Sequence, residues 1–224
     1  MGGRFFLTAL FLILSSASLA YSQTDKKTAY GILIDNTGSL RSQLDQVLEL
    51  GRAVARHGAQ RGSVSVFNFE SGGDRRNPLA LVSSGSEWSD NAPALENFID
   101  DIFVLGGQTT LLDAINSMAQ NVNAKVTAEK DTFSHGIIVL ITDGEDRESR
   151  IKESELIKDL QAKGTKVFAI GLTRELSGAF GSKGKKDKAE NLLRKLTKET
   201  GGRVIFPDSR SFDADKVIGE LLAP

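Results

Sequence analysis

Two apolar runs that stop at an aspartate constrain this chain more than any other feature. Tyr30-Gly31-Ile32-Leu33-Ile34 ends at Asp35, and Gly136-Ile137-Ile138-Val139-Leu140-Ile141 is followed at once by Thr142-Asp143. A run without polar alternation leaves no face for water, so each reads as a strand covered on both sides. The covering helices are legible between them. Leu40, Leu44, Val47, Leu48, Gly51, Val54 and Ala55 recur at helical spacing to about His57, with Ser39 placed to cap the start. Ala92–Val104 reads as a short helix ended by Gly106-Gly107, and Thr110 to about Val126 as a longer one. Ser149–Lys163, Lys188–Thr200 and Asp213–Leu222 carry further helical patterns.

Strands are expected at Ser63–Glu70, Lys166–Leu172 and Arg203–Phe206. Leu79–Val82 follows Pro78 and suits a sheet edge, where a missing N–H does least damage. Alternating β and α elements with apolar central strands predict an α/β fold: Rossmann-like and doubly wound, a mostly parallel central sheet with one antiparallel edge strand and helices on both faces.

Residues 1–20 form a different kind of segment. Arg4, the apolar run Phe5–Leu14 and the small residues ending at Ala20 have the layout of a cleaved secretory signal peptide. The run is short of the roughly 20 residues that span a bilayer, so no stable membrane span is expected after cleavage. A short polar lead over 21–28 then precedes a single domain over 29–224, exported to the periplasm or secreted. With 28 Lys+Arg against 29 Asp+Glu, the chain lacks the basic excess of a nucleic-acid binder. Cysteine is absent, which removes disulfides, thiolate metal sites and a Cys nucleophile.

In open α/β sheets, ligands sit beyond the carboxyl ends of the strands. Three predicted loops there are rich in oxygen donors: Asp35-Asn36-Thr37-Gly38-Ser39, Gly107-Gln108-Thr109, and Thr142-Asp143-Gly144-Glu145-Asp146. Hard donors without His or Cys suit Mg²⁺, Ca²⁺ or Mn²⁺ rather than zinc or copper. Asp35, Thr37 and Ser39 stand at i, i+2, i+4, a spacing that lets one carboxylate and two hydroxyls converge.

These residues, in this order, resemble the metal-ion-dependent adhesion site of von Willebrand factor type A (VWA) domains. The pattern is D-x-[ST]-x-S, then T, then D, filled by Asp35, Thr37, Ser39, Thr109 and Asp143. Gly-Gly-Gln-Thr before Leu-Asp-Ala-Ile, and Thr-Asp-Gly-Glu-Asp, are similar to the exported bacterial members. The resemblance covers about Ala29 to Leu222 and implies a divalent cation, Mg²⁺ first with Mn²⁺ or Ca²⁺ as alternatives. Ser39, Thr37 and Thr109 would offer neutral oxygens, and Asp35 and Asp143 the charge. It also implies a protein partner whose acidic residue completes the coordination shell. Thr37 departs from the common Ser, keeping the hydroxyl and adding a methyl.

Around this set, Asp113 reads as a structural support of the threonine loop. Glu145, Asp146 and Glu148 read as a solvated acidic helix start rather than a second cation site. Lys183, Lys185, Lys186 and Lys188 are expected in a loop after the Lys166–Leu172 strand, where they can steer an acidic partner. Trp88 reads as a partly buried core aromatic, and Val217, Ile218, Leu221 and Leu222 as the anchors of the last helix.

Two other function classes stand beside the binding module. A metal-assisted hydrolase would want a second acid at position 37, a general base or a nucleophile elbow. Position 37 is Thr, and Asn36 interrupts an Asp-Thr-Gly motif. His57 and His135 fall away from the carboxyl edge, and no G-x-S-x-G or H-E-x-x-H occurs. Glycine-rich phosphate loops of nucleotide binders are also absent, so no nucleotide is expected and the chain reads as a non-enzyme. The third class is a structural domain whose ion only ties loops together.

Overall fold

The computed structural model describes residues 26–69, 82–104, 109–177, 183–207 and 212–223. The expected signal segment, the Gly106-Gly107 terminator and residues 79–81 of the expected edge strand lie outside them. The elements in chain order are β1 (Lys27–Asp35), α1 (Leu44–Ala59), β2 (Gly62–Phe69), β3 (Val82–Gly85), α2 (Ala92–Asp100) and α3 (Leu111–Ala128). They continue with β4 (Phe133–Thr142), α4 (Glu153–Ala162), β5 (Lys166–Gly171), α5 (Lys183–Thr200), β6 (Val204–Ile205) and α6 (Ala214–Leu221).

One sheet runs in the order β3-β2-β1-β4-β5-β6. The five strands from β2 to β6 in that order are parallel, and β3 pairs antiparallel with β2. The α/β, doubly wound architecture is therefore as the sequence predicts. The apolar runs explain themselves by alternation: Ile32, Ile34, Val139 and Ile141 pack into one core with α1, α2 and α6, while Leu33, Ile138 and Leu140 pack into a second with α3, α4 and α5. Each strand is apolar throughout because each of its faces is a core face.

Helix boundaries differ from the sequence reading in ways that matter for the site. Gly38–Gln43 is a 3-10 turn, and the α-helix starts only at Leu44. Ser39 lies within that turn, which has Thr37 at its cap position with no side-chain cap, so Ser39 does not cap the helix. The expected helix from Ser149 starts at Glu153, and the one from Lys188 starts at Lys183. The short helix ends at Asp100, with Asp101 as its cap, rather than running to Val104.

α6 is seated as expected, with Ile218 and Leu221 buried and Val217 and Leu222 packed beside them. Arg56 on α1 holds it and α2 together, reaching Glu96 at 2.7 Å and Asp215 at 3.0 Å. All three side chains are partly exposed, so Arg56→Ala is expected to cost about 1 kcal/mol. Urea denaturation checks this, and the metal response described below should be unchanged.

Candidate metal centre at the switch point

β1 feeds leftward to β2, whereas β4 feeds rightward to β5, so their following loops part at the β1/β4 boundary. The register there pairs Ile34 with Ile141, which sets Asp35 beside Thr142 at the carboxyl edge. Asp35 and Asp143 are both buried, at 0% and 2% exposure.

Each oxygen of Asp35 is held. Oδ1 accepts from the Thr37 backbone N–H at 3.1 Å and from the Thr37 hydroxyl at 2.7 Å. Oδ2 accepts from the Thr142 hydroxyl at 2.6 Å, and Thr142 Oγ1 in turn accepts from the Gly144 N–H at 3.0 Å. Asp143 is held differently: Oδ1 accepts from the Glu145 N–H at 2.9 Å, while the buried Oδ2 has no hydrogen-bond partner.

The Ser39 hydroxyl stands 3.1 Å from Thr37 Oγ1 and close enough to Asp143 to lower its pKa. Thr37 donates to Asp35, so its oxygen is left to accept from the Ser39 hydroxyl. The cluster is thus an excess of acceptors.

Its electrostatics say the same. Burial pushes the Asp35 carboxyl up to about 7, the charge of Asp143 adds to the rise, and the hydrogen bonds from Thr142 and Thr37 oppose it. Asp143 is also raised, chiefly by burial, against the Glu145 N–H and the Ser39 hydroxyl. Two buried carboxyls that repel one another need either a proton or a cation between them.

The loop that carries Asp143 is braced on both sides. Gly144 adopts φ +80°, and a Cβ there would stand 3.0 Å from Leu193 Cδ1 and 3.2 Å from Ala189 Cβ, so the loop lies directly against α5. Thr109 is brought to it through its main chain, its carbonyl accepting from the N–H groups of Arg147 (2.9 Å) and Glu148 (3.2 Å). Asp113 accepts from the N–H groups of Arg150 (2.9 Å) and Ile151 (3.0 Å), so it is structural, but the segment it holds is the one before α4 rather than the threonine loop. Asp146 accepts from the Leu112 N–H (3.3 Å) and Ser149 Oγ (2.5 Å).

Glu145, Asp146 and Glu148 therefore do not begin a helix. They lie in the loop before α4, and Glu145 pairs with Arg147 at 2.5 Å and Lys185 at 3.9 Å. The lysine cluster is likewise not in a loop, because residues 183–188 open α5. Lys185 and Lys188 line, with Arg147 and Gly144, a groove of about 790 Å³ next to the Asp143 loop.

Two contributors had no role in the sequence reading. Thr142 stands in an oxygen-rich loop of the sequence without a role of its own, because its bond to Asp35 depends on β1/β4 register. Asn36 is fully buried and donates from Nδ2 to the Phe103 carbonyl at 3.1 Å, fixing Phe103 near this edge. Phe103 is 63% exposed and is the one large exposed hydrophobic side chain among the described residues. Trp88 is partly buried as expected, donating to Asn121 Oδ1 at 3.3 Å. His57 and His135 sit on α1 and at the start of β4, and burial with nearby Arg61 and Lys166 lowers their pKa values.

A doubly wound α/β domain with an acceptor-rich cluster at its switch point defines the class. The model of the von Willebrand factor type A domain matches residues 31–219, and the chain belongs to that family. Membership supports a protein-interaction domain. No curated protein matches the chain in sequence. Among solved structures, the fold is similar to BatB, a conserved hypothetical protein of Bacteroides thetaiotaomicron (TM-score 0.60, 18% identity, 88% of this chain and 97% of that one). It is also similar to the pilus adhesin SpaC of Lactobacillus rhamnosus GG in its open conformation (0.59, 14%, 88% of this chain), of which it spans 29%. Proximal thread matrix protein 1 of the mussel byssus gives 0.59 at 17% identity, over 88% of this chain and 48% of that one.

Proposed function

We propose that this chain is an exported, non-enzymatic binding domain that captures an acidic residue of a partner protein through a divalent cation. Asp35, Thr37, Ser39, Thr109 and Asp143 would hold the ion, with Mg²⁺ the first choice and Mn²⁺ or Ca²⁺ the alternatives. When bound, the ion supplies an electrophilic position for an incoming carboxylate. The observation that carries this reading is the buried, unpartnered Asp143 Oδ2 beside Asp35, on which the Thr37 and Thr142 hydroxyls are already spent.

The surroundings support a protein ligand. Phe103 offers apolar area near the site, and the adjoining groove carries charges of both signs, with Arg147 and Lys185 paired to Glu145 and Lys188 beside them for an acidic group of the partner. Among the described residues no helix is long and apolar enough to cross a membrane, and the layout of residues 1–20 supports export.

Isothermal titration of metal-stripped protein with Mg²⁺, Mn²⁺ and Ca²⁺ tests the reading. Saturable binding is expected in the wild type and none in an Asp35→Ala/Asp143→Ala double variant. Equal heats from both proteins would remove the ion from the account, and stabilisation by metal without metal-dependent partner capture would reduce it to a loop brace.

A further inference from the structure

The opposite end of the sheet holds a second cleft, of about 300 Å³, where β1, β4 and β5 begin. Its walls come from the α5–β6 turn at Gly201-Gly202-Arg203 and the end of α6 at Leu222-Ala223. The back is apolar, made by the buried Tyr30 and Ile137 and the partly buried Phe168 and Leu222.

The rim carries two cations, Lys166 and Arg203. His135, Lys166 and Arg203 line the cleft together with the Thr28 hydroxyl, and no carboxylate lines it among the described residues. Arg203 is oriented by donating to the Glu220 and Ala223 carbonyls at 3.2 and 2.8 Å, which leaves further guanidinium N–H donors. His135 is oriented by Thr28 Oγ1 at 3.2 Å and Ser134 Oγ at 2.8 Å. Burial, and then the charge of Lys166, lowers the pKa of His135, so its ring is a neutral member of the rim near pH 7.

We infer that this cleft binds a small organic carboxylate, its charge between Lys166 and Arg203 beside the His135 ring and its apolar body against Tyr30, Ile137, Phe168 and Leu222. The volume lies at the small end for ligand sites, which selects a compact molecule over a protein segment. The site is independent of the cation cluster, being at the amino rather than the carboxyl edge of the sheet.

NMR titration of ¹⁵N-labelled, metal-free full chain with phenylacetate, hexanoate, acetate and hexylamine tests the inference. Chelator is present throughout, so that no carboxylate can be captured at the carboxyl edge. Saturable shifts of the Tyr30, His135 and Gly202 amides are expected with phenylacetate or hexanoate. Acetate, which has no apolar body, should bind about ten-fold more weakly, and hexylamine should not bind.

Lys166→Gln removes one charge-assisted contact and should weaken phenylacetate binding about ten-fold. Asp35→Asn, which alters only the other end of the sheet, should leave it unchanged. Absence of saturation at millimolar phenylacetate, equal binding of acetate or hexylamine, or an unaffected Lys166→Gln variant with wild-type melting would each overturn the assignment.

Discussion

Asp35→Asn is expected to melt higher than the wild type at pH 8 in the absence of metal, and to lose its response to Mg²⁺. Burial and the charge of Asp143 push the folded Asp35 carboxyl up to about 7, from the ordinary 3.8 of an unfolded chain. A raised acid favours its protonated form in the fold. The native state is therefore fully supported below about pH 4, and loses stability as pH rises from there through about 7. A rise of that size corresponds to a few kcal/mol at pH 8. The asparagine amide carries no charge and keeps an acceptor for Thr37, so most of that loss should disappear.

For a chain of this length the gain is roughly 10 °C at pH 8 and close to nothing at pH 4. In the wild type Mg²⁺ should restore a comparable margin, and more of it at pH 8 than at pH 5, because binding at pH 5 must displace the proton on Asp35. Scanning fluorimetry of both proteins across pH, with and without metal, reads all of this. A variant that melts no higher at pH 8, or still responds to Mg²⁺, would contradict the account of this carboxyl.

Much of this architecture was legible in the chain, and the exceptions share a physical cause. Tyr30–Ile34 and Gly136–Ile141 announce buried strands because their apolar runs are unbroken, and the aspartates that end them announce the carboxyl edge. Local pattern is enough for that. Ser39 was read as a helix cap because Ser before an apolar-periodic run usually is one. A 3-10 turn inserts between it and α1, however, and turns its hydroxyl to Thr37 and Asp143.

Thr142 and Asn36 escaped for another reason. Their partners, Asp35 and Phe103, lie 107 and 67 residues away, and no spacing along the chain encodes a sheet register. The start of α4 was misplaced by four residues because Ser149 and its neighbours look like a cap and first turn. Their backbone N–H groups are instead taken up by Asp113, so a tertiary contact substitutes for the helix that propensity alone would start there.

That substitution sets up the second large effect. Asp113→Ala is expected to cost about 3 kcal/mol and to weaken Mg²⁺ binding about ten-fold, although Asp113 is outside the proposed ligand set. Its carboxylate accepts two backbone N–H bonds, from Arg150 and Ile151, and hydrogen bonds to a charged group contribute about 1.5–3 kcal/mol each. The support is reciprocal, since Asp146 and Ser149 accept from the N–H groups of Leu112 and Asp113 at the start of α3.

Cutting one side of this clasp frees the segment that positions Asp143, and with it the Arg147 and Glu148 amides that hold Thr109. Asp113→Asn keeps one acceptor oxygen, so it should recover about half of the stability and most of the affinity. Urea denaturation and metal titration of the two variants separate the possibilities. A loss of stability with unchanged affinity would mean that the clasp supports α3 alone. The expected parallel loss ties the placement of Thr109 and Asp143 to a carboxylate that never needs to touch the ion.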